Sequence, residues 1–148
     1  MAPLQSARHS FRLCWRPLRE GELDHELIWA SVSMVSVAFG ILLLKLHVPL
    51  PTCLLHDLTG LPCPTCGATR CFIQLLNGNF RAALGWNPGA FSAFIALCLF
   101  NLYAVVVVSC NLPRLRIALI TPKAAMALRG LAWSAAALNW IYLIVYLP

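Results

Sequence analysis

Residues 27 to 44, LIWASVSMVSVAFGILLL, run for eighteen positions without a charged side chain. A helix of that length crosses most of the ~30 Å hydrocarbon core of a bilayer. The stretch is longer than the apolar core of a secretory signal peptide, and no A-x-A cleavage site follows it. It therefore reads as a retained helix, a first span over residues 27–46 with Lys45 reaching the interface. Before it lies a polar segment, residues 1–26, in which Arg8, Arg12, Arg16 and Arg19 precede Glu20, Glu22, Asp24 and Glu26.

Two further apolar runs follow. Asn87 is a good N-cap and Pro88 a good first helical residue, so the second span is expected over residues 88–110, ended by Asn111 and Pro113. Thr121 and Pro122 repeat the cap-and-proline signal, and the third span is expected over residues 122–147. Arg129 lies near its start. Trp140, Tyr142 and Tyr146 form part of an aromatic belt toward its C-terminal end. Asn101 and Asn139, inside the second and third spans, have no ionisable partner in the membrane and read as interhelical hydrogen-bonding residues.

The connection between the first two spans, residues 47–87, is apolar in patches and predicts short helices at the membrane surface. Over residues 68–76 the residues Phe72, Leu75 and Leu76 share one face, with Arg70, Gln74 and Asn77 toward the other, and Asn77-Gly78 is a helix stop. A second short helix is expected from Phe80 to Leu84. The connection between spans two and three, residues 111–121, reads as a loop.

Composition agrees with this pattern. The chain is 60% hydrophobic and 11% charged, against about 25% charged in soluble domains. The net charge is +6, but the basic residues sit at segment ends rather than in a stripe, so nucleic-acid binding is not expected. The N-terminal segment carries four Lys/Arg, and four more (Arg114, Arg116, Lys123, Arg129) follow the second span. The first loop carries three: Lys45, Arg70 and Arg81. This asymmetry predicts a cytoplasmic N-terminus and an outward-facing cysteine loop, with the C-terminus outside. The expected fold is an all-α integral membrane protein, one domain of three transmembrane helices with interfacial helices in the first loop.

Chemistry concentrates in that loop, at GLPCPTCGATRC, residues 60 to 71. In Cys63-Pro64-Thr65-Cys66-Gly67 the proline fixes one backbone angle and the glycine permits a tight turn, so both sulfurs can point one way. With Cys53 and His56 just upstream the pattern becomes C-x2-H-x6-C-x2-C, a Cys3His donor set of the kind zinc takes. The same cysteines support thiol–disulfide exchange. A C-x-x-C at a helix start has a depressed thiol pKa, and Cys53 is a candidate resolving thiol. They equally support a disulfide that staples the loop between two helices. Sequence leaves all three readings open. Thr69, Arg70 and Asp57 are further candidate functional residues. Arg70 is a cation in a helix's first turn, where the dipole disfavours it, and Asp57 is the only acid after residue 26.

The stretch TCLLHDLTGLPCPTCGATR, followed by LLNGNFRAALGWNP, resembles a family of small bacterial membrane proteins, domain of unknown function 2752. The matching positions are Cys53, Thr59, Gly60, Pro62, Cys63, Pro64, Cys66, Gly67, Thr69, Arg70, Asn87 and Pro88. The family pattern has a proline where this chain has Leu54, and no histidine at the position of His56. The resemblance implies a multi-pass protein of the bacterial inner membrane with a three-cysteine outer loop, and brings no established activity.

The chain has no G-x-x-x-x-G-K-[ST], H-E-x-x-H or G-x-S-x-G, so no machinery for phosphate, zinc-protease or serine hydrolysis is visible. The expectation leans away from an enzyme. It is toward a binding or accessory, assembly-type protein whose outer loop is rigidified by its thiols, with a zinc-like metal site or thiol–disulfide exchange at the same cysteines as the alternative. Its expected partners are the lipid bilayer, other membrane proteins or further copies of itself.

Overall fold

The computed structural model describes residues 11–18, 21–49 and 53–146. Arg8, His9, Arg19, Glu20 and the last residue of the expected third span lie outside the described residues, as does the side chain of Arg12. The element order is β1 (Phe11–Arg16), α1 (His25–Lys45), α2 (Leu54–Thr59), α3 (Ala68–Leu76), α4 (Phe80–Trp86), α5 (Pro88–Ser109), β2 (Arg114–Ile120) and α6 (Pro122–Tyr146).

Three of these helices, α1, α5 and α6, are long and apolar enough to cross a membrane. α1 starts two residues before the apolar run because Asp24 caps it, its carboxylate accepting from the N–H of Leu27 at 3.3 Å. Glu26 in the first turn adds a favourable charge at the helix N-terminus. α5 and α6 start where the cap-and-proline signals place them. Asn87 Oδ1 accepts from Ala90 N–H at 2.8 Å, and Thr121 Oγ1 accepts from Ala124 N–H at 3.3 Å. The helices turn large apolar side chains outward, Trp133 at 78% exposure and Val35 and Leu131 at 68% each. That surface suits hydrocarbon rather than water.

α1 and α5 pack side by side. Ser33 on α1 donates to Asn101 Oδ1 on α5 at 2.8 Å, and the Asn101 amide donates back to Leu97 O at 2.9 Å. This is the interhelical role expected of Asn101. The short helices α3 and α4 lie against one end of this pair. Both sit where the pattern predicts them, with α4 two residues longer. Phe72 packs on Phe94 with ring centroids 5.2 Å apart, and Cys71 is fully buried. Gly78, at φ 73°, closes α3 in the left-handed conformation that favours glycine.

The opposite end is not the pair of loops that the pattern suggests. β1 and β2 form an antiparallel two-stranded ribbon, with Cys14 opposite Arg116, Trp15 opposite Leu115 and Arg16 opposite Arg114. Arg114, 7% exposed, pairs with the Asp24 carboxylate, and Arg116 pairs with Glu26 at 3.0 Å. Arg16 pairs with Glu22 at 2.7 Å. Acids at the start of α1 thus neutralise bases after α5. The N-terminal segment and the α5–α6 connection therefore share one end of the molecule, and the cysteine loop occupies the other.

Candidate functional site

The loop between α1 and α5 is short of backbone donors, because Pro62, Pro64 and Pro88 have no N–H. Its turn closes locally, with Cys66 N–H on Cys63 O at 2.9 Å and Ala68 N–H on Thr65 O at 3.1 Å. Gly67, at φ 78°, makes the left-handed step into α3. That turn carries Cys63 and Cys66, while Cys53 caps α2 from the other side of the loop.

The three sulfurs converge. The Sγ atoms of Cys53, Cys63 and Cys66 all lie within 4.8 Å of one another, half-buried and as free thiols. The Cys63 N–H donates to Cys66 Sγ at 3.3 Å, and Cys63 Sγ lies 3.2 Å from the Thr65 hydroxyl. The thiols differ in acidity. Cys53 is pushed down to about 7, first by the backbone N–H of His56, which faces its sulfur without closing to a full capping hydrogen bond, and then by the Cys66 and Cys63 thiols. Cys66 is pushed up to about 11, first by burial and then by its Cys53 neighbour. Burial also raises Cys71, which stands apart from the cluster in the core.

Side chains from the membrane helices hold this loop by its carbonyls. The Asn87 amide, 1% exposed, donates to Cys66 O at 2.9 Å and to Pro64 O at 3.3 Å while its oxygen caps α5. From α6, Asn139 donates to Pro64 O at 3.3 Å and accepts from Gly89 N–H at 2.7 Å. Trp140 donates its indole N–H to Pro62 O at 2.8 Å, and Tyr142 donates its hydroxyl to Gly85 O at 3.1 Å. Asn139 and Trp140 were expected as a packing asparagine and a belt aromatic; their role as anchors of the thiol loop is new. A signal for it does exist in the sequence. Three carbonyls in a proline-rich loop need donors, and Asn-Trp at the end of an otherwise apolar run supplies two.

The remaining candidates are more dispersed. His56 is exposed on α2 and is not part of the sulfur cluster. Arg70 lies over the Trp86 ring, 4.6 Å from its centroid, a cation–π contact that explains a cation in the first turn of α3. Thr69 is exposed at the end of an apolar groove of about 500 Å3 between α1, α3 and α5. Asp57 sits in the first turn of α2.

Three membrane-length helices and a pinned three-thiol loop define a multi-pass integral membrane protein with a cysteine cluster able to hold a metal. Residues 53–101 match the family described as "Protein of unknown function (DUF2752)", the family that the loop signature resembles. The match takes in all three clustered cysteines, Arg70, Asn87 and Pro88. No curated protein and no solved structure matches the chain.

Proposed function

We propose that this is a metal-binding accessory protein of the bacterial inner membrane, whose cysteine loop faces outward and holds a soft metal ion, zinc or a similar thiophilic cation, on Cys53, Cys63 and Cys66. The observation that carries this reading is the convergence of three thiols, not two, within 4.8 Å. A disulfide staple needs one pair and leaves the third sulfur without a purpose, whereas thiolates in a compact triangle are what soft cations select. The asparagine and tryptophan anchors support it too. Partners that orient a ligand-bearing segment are a regular part of metal sites. The outward-facing loop and cytoplasmic N-terminus rest on the excess of Lys and Arg in the N-terminal segment and the α5–α6 connection.

Thiol–disulfide exchange is the second reading, favoured by one observation. Cys53, with its depressed pKa, lies within reach of a C-x-x-C pair. Differential alkylation in native membranes separates the two. Under non-reducing conditions, a chelator that unmasks all three thiols establishes the metal site. Thiols unmasked only by a reductant refute it and point to disulfide chemistry.

A further inference from the structure

The donors around the thiol cluster are few. Among the described residues, Cys53, Cys63 and Cys66 are the only Cys, His, Asp or Glu side chains grouped closely enough to share a metal ion. Cys71 is sealed in the core and His56 lies outside the group. The loop is also fastened where it would need to move to bring in another donor. Pro62 O is held by Trp140, Pro64 O by Asn87 and Asn139, and Cys66 O by Asn87. Zinc and its analogues take four ligands. Sites that only brace a fold supply all four from the protein, and sites that exchange a ligand supply three. The three cysteines are only half-buried, so solvent and solutes can reach the cluster.

Donor softness narrows what enters it. A metal already on sulfur ligands is matched by another soft donor. Resting on the metal reading above, we infer that the cluster is an open three-thiolate site whose fourth coordination position takes an external thiolate, from a small thiol or from a cysteine of another chain. The incoming thiolate forms one metal–sulfur bond and displaces water. No electrons are transferred.

The test uses the full chain in lipid nanodiscs, loaded with Co2+, whose visible absorption reports its ligand set. In discs holding one chain, added glutathione is expected to shift the Co2+ spectrum and saturate at an equimolar ratio, with the metal retained by native mass spectrometry. A shifted spectrum in discs with two chains and no added thiol supports the same open position and names a second copy as the donor. Glutathione leaving the spectrum unmoved overturns the inference. If His56→Ala then changes that spectrum, the fourth ligand is His56 and the site is closed. Failure of Co2+ to bind at all overturns the metal reading itself, an outcome distinct from binding at a saturated site.

Discussion

The side-chain amide of Asn87 donates to the backbone carbonyl of Cys66 at 2.9 Å while its oxygen caps the helix that follows. One buried residue thus starts α5 and positions a member of the thiol cluster 21 residues earlier in the chain. Replacing it by Ala removes a cap, a loss of about 1 kcal/mol, and leaves Cys66 O without its partner at about 1–3 kcal/mol, while Pro64 O keeps Asn139. Asn87→Asp keeps the capping oxygen and loses the donor. Thermal unfolding in detergent should rank wild type above Asn87→Asp, and Asn87→Asp above Asn87→Ala. Equal stability for the two variants would assign the whole effect to the lost amide donor rather than to the cap.

At Gly89 α5 lies directly against the Asn139 side chain of α6. A Cβ added there meets Asn139 Cγ at 2.7 Å, an approach that backbone or side chain must relieve. Gly89→Ala is expected to cost about 1–3 kcal/mol, the range for overpacking. In an Asn139→Ala background the added methyl should cost little, because the obstructing group is gone. A double-mutant cycle on unfolding checks this, and additive effects would place the strain elsewhere.

The acidity of the thiols gives a pH signature in the metal-free protein. The thiolate is the nucleophile, so a lowered pKa brings alkylation in at lower pH. Cys53, at about 7, should be modified by iodoacetamide around neutrality, whereas Cys66, at about 11, should resist until the solution is strongly alkaline. Site-resolved mass spectrometry across pH 6–11 reads both, and Cys66 reacting first would contradict the environments described.

At the other end, Arg114 holds the Asp24 carboxyl below its ordinary value of 3.8. A depressed carboxyl stabilises the folded state above its unfolded pKa, and that stability is lost as pH falls through the folded value. The ribbon contact should therefore be intact at neutral pH and weaken on acidification below 3.8. Arg114→Gln leaves Asp24 with a neutral partner while Glu26 keeps Arg116, and breaking such a pair costs about 3–5 kcal/mol when buried. The expected readout is faster proteolysis within β1 and β2 for Arg114→Gln at neutral pH, and a smaller difference from wild type in acid.

Much of this architecture was legible in the sequence, because membrane helices declare themselves by long uncharged runs and by caps such as Asn87-Pro88 and Thr121-Pro122. The helix at Ala68–Leu76 was legible from the shared face of Phe72 and Leu75. The ribbon was missed, although in FRLCWR the large apolar Phe11, Leu13 and Trp15 alternate with Arg12, Cys14 and Arg16. Its partner lies some hundred residues away, and strand pairing at that distance leaves no local trace. The helix Leu54–Thr59 was also missed, since six residues are too few to show a period. At the site, the grouping of Cys63 with Cys66 follows from spacing, while the approach of Cys53 depends on tertiary folding. His56 has the spacing of a ligand from Cys53, and the structure sets its backbone N–H near that sulfur with the side chain exposed on α2.

The ribbon also bears on how the protein is made. β1 precedes α1 and β2 follows α5, so the ribbon joins segments that lie on either side of two membrane-length helices in the chain. The two strands can pair only if α1 and α5 have inserted with opposite directions. Closure of the ribbon, held by Asp24, Glu26, Arg114 and Arg116, therefore couples the directions of the two helices. A chain whose first helix had inserted backwards would hold its two acids on one face of the membrane and the two arginines on the other.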